Sequence, residues 1–369
     1  MSKSWWLAAL AVGSTQAGLA QSPQAIAGEH ARRLLDDAVA ASSGPTLGTA
    51  QDLTVRFRLA AEAAPGSAPA LLDYAIALDH KGKIAEAERE YRAAAAAADF
   101  PQLSFSAAAR ATSLALDGAD MESVRTAVDL ARAALPNDAA PLVLEARVAL
   151  AGHDLARAQS AARAALMRDP HDVGALCVLS RVHLAEDHVG TARILAARAQ
   201  SSDPDDAEPF IVQAEIARVE GDPAAELAAA QGAVTTDDES PVAALFLGRA
   251  LFERGLAAGA IEQLARAVEL GPELPAIRLA LGSVLAAQGR RADAEAQLEV
   301  AAQRAPGWPE IHLELARLKE AKGDAKTALA EANLFLRLAS GAPAGHPVHA
   351  LVQRCEEALK TKAQASVVQ

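Results

Sequence analysis

The sequence predicts an all-α solenoid of about eight helix-turn-helix repeats, with extra helices before the array and a capping helix after it. Three observations carry this. The stretch ALFLGRALFERG at 244–255 is echoed 34 residues later by AIRLALGSVLAAQG, so that Leu247, Gly248 and Gly255 recur as Leu281, Gly282 and Gly289. That 34-residue register runs without insertion from Phe105 to Ala342, in units starting at 105, 139, 173, 207, 241, 275 and 309. The chain is 51% hydrophobic but only 3% aromatic, its apolar content being mostly Ala and Leu. Such residues favour helices whose backbones approach closely.

In chain order, residues 1–20 read as a signal peptide. Lys3 supplies the basic start, Trp5 to Val12 an apolar run, and Gly18 and Ala20 the small residues before a cleavage point at Gln21. The run is too short to span a bilayer, so no direct membrane anchor is expected. An N-terminal helical segment follows at 21–67, with helices over 23–42 and 50–63 joined by the turn Ser43 to Pro45. Eight repeat units occupy 68–342, the first running from Ala68 to Pro101 and separated from the rest by a three-residue slip. A capping helix is expected over 343–362, with Val348, Leu351, Val352, Cys355 and Leu359 on one face and Arg354, Glu356, Glu357 and Lys360 on the other. The tail 363–369 is expected to be mobile.

Within a unit, the eighth place is always small: Ala75, Thr112, Ala146, Ser180, Ala214, Gly248, Gly282 and Ala316. The twenty-seventh is Ala in every unit but the last, where Phe335 stands, and the twentieth is Ala in six of eight. A small residue recurring at one place marks a close helix crossing. Pro136, Pro170, Pro204, Pro272 and Pro306 share the thirty-second place, where proline ends a helix. Gly82, Gly221, Gly255, Gly289 and Gly323 share the fifteenth, while Gly118 and Gly152 fall one residue earlier. Asp222 and Pro223 give an N-cap and a first-turn proline.

On these residues the chain resembles the tetratricopeptide repeat family, over 68–342. The resemblance implies a right-handed superhelix whose concave side takes an extended peptide or a partner helix. Departures occur at the inward places: Glu145 and Gln213 at the seventh, Lys319 at the eleventh, Glu226 at the twentieth, and no Trp at the fourth. The family's specialised grooves that rely on Asn find no counterpart, since only Asn137 and Asn333 occur.

The fifth place, which would floor that groove, is apolar throughout: Leu72, Ala109, Val143, Cys177, Ile211, Leu245, Leu279 and Leu313. Phe252 joins it from the twelfth place, and Arg147, Arg181, Arg249 and Arg317 recur at the ninth. Two readings stand side by side. The arginines are cationic posts for a carboxylate-bearing peptide, or they form inter-repeat ion pairs, with Glu215 between Arg181 and Arg249.

No catalytic motif is present, and neither cofactor nor metal is expected. His183 and His188 are five apart, which turns them to different sides of a helix, with His183 at the inward eleventh place of its unit, and His346 and His349 flank the start of the capping helix. The acid clusters Asp203 to Glu208 and Asp237 to Glu239 read as solvated loops and N-caps. Cys177 and Cys355 read as separate buried thiols. A net charge of −12 argues against nucleic-acid binding. The reading that follows is a non-enzymatic periplasmic scaffold serving a bacterial envelope assembly in secretion, polysaccharide export, pilus or motility machinery. The alternative is an accessory or glycan-binding module of a cell-wall enzyme system, for which Trp308 is the one Trp after residue 20.

Overall fold

The computed structural model describes residues 50–97, 99–339, 343 and 345–367. The expected signal peptide, the helix over 23–42 and the Ser43 to Pro45 turn lie outside them. Among the described residues there are 18 helices and no strand. Packing divides the chain into two units, to residue 108 and from 109 onward.

The first unit holds α1 (Ala50–Ala63), α2 (Ala68–His80), α3 (Ile84–Ala96) and the start of α4 (Pro101–Asp117). Helix α1 takes the span expected of it, and its Phe57 is buried with Ala77, Leu53 and Tyr74. Helix α2 is tied at its start by the Ala68 N–H, which donates to Asp99 Oδ1 at 3.0 Å. The three-residue slip appears as an extra turn: α4 begins at Pro101, ahead of Phe105, and Ser104 Oγ donates to the Ala97 carbonyl at 2.6 Å.

The second unit continues from α4 through α5 (Met121–Ala134), α6 (Ala140–Ala151), α7 (Leu155–Arg168), α8 (Val173–Ala185), α9 (Val189–Ser202), α10 (Glu208–Glu220), α11 (Pro223–Thr236), α12 (Pro241–Glu253), α13 (Ala257–Leu270), α14 (Pro275–Ala287), α15 (Arg291–Arg304), α16 (Pro309–Ala321) and α17 (Ala325–Leu338) to α18 (Pro347–Val367). From α2 to α17 the helices form eight successive antiparallel-type pairs, one per repeat. Aspartates cap several second helices: Asp120 accepts from the Ser123 N–H, Asp154 from Arg157, Asp222 from Ala224 and Ala225, and Asp324 from Thr327. First helices start on prolines, as at Pro241, Pro275 and Pro309.

The small places hold the pairs together. A Cβ on Gly248 would come within 2.6 Å of Leu264 Cγ, and one on Gly282 within 2.7 Å of Leu298 Cγ. Where the place is Ser180, its hydroxyl donates to the Ala192 carbonyl at 2.7 Å, so the polar group costs little. The alanines of the twenty-seventh place are fully buried from Ala94 to Ala301.

The turn within each pair also has one geometry. Its fifteenth place is left-handed in all eight units, by glycine at Gly82, Gly221, Gly255, Gly289 and Gly323 and by Ala119, His153 and Asp187 in the other three. Gly118 and Gly152 therefore do not replace the displaced glycine; each precedes the left-handed residue.

The polar departures are satisfied within the fold. Glu145 accepts from Arg132 at 2.7 Å and from Arg157 at 2.9 Å. Burial pushes its carboxyl up, but the two arginines outweigh this and leave its pKa below the usual range. Gln213 donates to Gln200 at 2.8 Å, and Lys319 pairs with Glu295 and Glu299. Glu226 is the exception: it is buried against Glu253, a second carboxyl, and burial followed by that neighbour raises its pKa to about 7.

Helix α18 lays Val348, Leu351 and Cys355 against Phe335, Ala332 and Ala328, and Arg354 grips Glu320 with bonds of 2.6 and 3.0 Å. It runs to Val367, past residue 362 where the sequence reading ended it. Cys177 and Cys355 are both free and buried, and burial raises both thiols, so neither is a ready nucleophile. Within this second unit the turn at Gly118 and Ala119 meets Gly307, where an added Cβ would lie 2.8 Å from Ala119 Cβ. No helix among the described residues is long and apolar enough to cross a membrane.

Candidate functional site

A depression of about 690 Å³ opens on the second unit. Four successive first helices line it: Arg147 on α6, Arg181 on α8, Ile211 and Glu215 on α10, and Val242 and Phe246 on α12. The loops before α10 and α12 add Asp203, Asp205, Asp206 and Asp237. The same face recurs because the 34-residue period brings each first helix back to the same side of the array, turned slightly from the one before.

The arginines at its centre are paired. Glu208, at the start of α10, accepts from Arg147 at 2.5 Å and from Arg181 at 2.8 Å, and Arg181 Nε donates to Glu215 at 2.8 Å. Gly174 leaves room for this, since a Cβ there would meet Val143 at 2.9 Å and the Arg147 guanidinium at 3.4 Å. Burial would lower the Arg181 pKa, but Glu215 and Glu208 more than compensate and hold it above its ordinary value. The ladder expected through Glu215 stops there. Arg249 instead lies over the Phe246 ring, 5.7 Å from its centroid, and Arg317 pairs with Glu314 on its own helix at 2.6 Å.

The sequence-derived site residues thus separate into classes. Arg147, Arg181 and Ile211 line the depression, and Arg249 borders it through Phe246. Val143, Cys177 and Leu245 are buried between helices, Cys177 completely. Leu279 and Phe252 pack half-buried on the core of α12 to α16, and Leu313 on that of α16 to α18. Leu72 belongs to the first unit, where it is buried.

Two features escape the register. Glu208 bridges arginines 61 and 27 residues away from a position read only as a loop acid. Val242 stands at a place where no apolar stripe recurs, whereas Phe246 belongs to an apolar sixth place, with Leu144, Val178, Val212 and Ala280, that lies outside the groove floor expected from the sequence. The balance of charge follows: six carboxylates line the depression against two guanidiniums, and both guanidiniums are already paired. Asp203, Asp206 and Asp237 each accept a backbone N–H two residues on, which holds the acidic loops in place. Trp308 packs half-buried on the core of α12 to α16, which leaves it poorly placed to stack a sugar.

Residues 251–318 match the model of the tetratricopeptide repeat. Comparison with curated proteins returned no match. Among solved structures, the chain is similar to the APC/C hetero-tetramer Cut9-Hcn1, at 14% identity and a TM-score of 0.54, covering 90% of this chain and 64% of that one. It is also similar to yeast Tom70, at 16% identity and a TM-score of 0.49, covering 95% and 67%. Against Pseudomonas aeruginosa pilF the figures are 18% and 0.45, covering 59% and 96%. The fold is that of the tetratricopeptide-type solenoids.

Proposed function

We propose that the chain is a non-enzymatic scaffold of the periplasm that docks a partner protein of an envelope assembly in the depression along α6, α8, α10 and α12. The observation that carries this reading is the depression itself, built from the first-helix face that such solenoids use for binding. The leader-like sequence at 1–20 supports the compartment. The segment it receives carries basic and apolar side chains. Ile211, Val242 and Phe246 offer apolar contact, the loop aspartates attract cations, and Arg147 and Arg181 are spent on Glu208 and Glu215.

Site-specific photocrosslinking in envelope extracts tests the reading. A photoreactive phenylalanine analogue at Phe246 should capture a discrete envelope protein. The same group at Ile194, which is 71% exposed and outside the depression, should not. Capture from Ile194 and none from Phe246 would move the docking surface elsewhere.

A further inference from the structure

The turn between α8 and α9 reads His183-Leu184-Ala185-Glu186-Asp187-His188. The expectation that the two histidines point apart holds only for a continuous helix, and here α8 ends at Ala185. Asp187 takes the left-handed conformation, with φ of 62°, and folds the chain back. The His188 N–H then donates to the His183 carbonyl at 2.8 Å. Both rings are drawn to one side of the turn, with centroids 5.8 Å apart.

Glu186 stands between them. Its Oε2 is 3.3 Å from His183 Nδ1 and 3.4 Å from His188 Nδ1. The donor atoms of all three residues lie within 4.8 Å of one another. His183 Nδ1 is buried and makes no hydrogen bond of acceptable geometry, so a polar atom faces the cluster without a partner. Separations of about 3.3 Å are the edge of a tetrahedron whose centre is 2.0–2.1 Å from nitrogen or oxygen ligands, which are zinc's distances.

We infer that His183, Glu186 and His188 form a site for one divalent transition-metal ion of the zinc class. Two imidazole nitrogens and one carboxylate oxygen suit zinc, cobalt or nickel, whereas calcium and magnesium take oxygen shells. His183 is the anchored ligand at 17% side-chain exposure, and His188, at 63%, is the one that closes on an ion arriving from solvent. Bound there, the ion ties the end of α8 to the start of α9 and keeps a coordination position for water or an outside ligand.

The test is a titration of the full chain, made without a histidine tag, with Co²⁺ and then with Zn²⁺ in competition. Cobalt's visible absorption reports the ligand geometry. The wild type should bind one equivalent, His188→Ala should bind at least about tenfold more weakly, and Glu186→Gln should also weaken. The paired change His346→Ala with His349→Ala, elsewhere in the chain, should leave the affinity unchanged. His188→Ala removes an exposed side chain, so its helical signal should match the wild type. Saturable binding that survives His188→Ala, or no saturable binding by the wild type, would overturn the assignment.

Discussion

His312 is buried with both ring nitrogens on acceptors, Nδ1 at 2.8 Å from Glu331 Oε2 and Nε2 at 3.0 Å from the Pro306 carbonyl. Both contacts are hydrogen bonds only when both nitrogens carry protons. The Glu331 bond accordingly raises the His312 pKa, against the effect of burial. A raised folded-state pKa contributes stability that is complete below the unfolded value near 6.5 and is lost as pH rises through the folded one. Glu226 acts in the same sense lower down, its stability being present below its unfolded value of 4.5 and lost as pH rises to about 7. Burial raises the Asp73 carboxyl to about 7 as well, so urea denaturation across pH 4 to 9 should show stability lost first over a lower window shared by Asp73 and Glu226 and then over the higher one of His312. His312→Gln should remove the upper step, worth about 1–3 kcal/mol. Glu226→Ala, which restores the usual alanine, should shrink the lower one to the part Asp73 supplies and stabilise the chain above pH 7 by on the order of 1–3 kcal/mol.

At the scale of the helix pair, the repeat makes its own predictions. Gly248→Ala should cost about 1–3 kcal/mol, because the new methyl meets Leu264 Cγ at 2.6 Å. Gly255→Ala should cost about 1 kcal/mol because its φ is 75°. Gly152→Ala should cost nothing measurable, since Gly152 has φ of −82° and the left-handed residue of that turn is His153. Thermal unfolding of the three variants separates these cases. The crossing at Gly248 was legible in the sequence because a steric limit at fixed spacing leaves the same mark in every unit. The His183 and His188 cluster was not, because it depends on the residue at which α8 stops. Glu208 escaped for a related reason: its partners come from two other repeats, and the register describes places within one.

At the scale of the second unit, the turn at Ala119 touches Gly307, although the two belong to repeats far apart in the chain. Ala119→Cys with Gly307→Cys should form an intramolecular disulfide under mild oxidation, seen as a mobility shift reversed by reductant. Cys177 and Cys355 are buried and should not compete. The solenoid was readable from periodicity, but this closure was not, because curvature accumulates from small rotations between pairs. The depression sits at the same boundary of legibility. Its backbone follows from the repeat, while its chemistry follows from which side chains neutralise one another across α6, α8 and α10.

The most direct measurement is therefore a comparison of labelled peptides by fluorescence anisotropy, one alternating leucine with lysine and arginine and one alternating leucine with aspartate and glutamate. The account predicts that the basic peptide binds, that affinity falls as salt rises, and that Phe246→Ala weakens it by about tenfold. Preference for the acidic peptide would mean that Arg147 and Arg181 leave Glu208 to meet a ligand. Binding unchanged by Phe246→Ala would contradict the depression as the docking site.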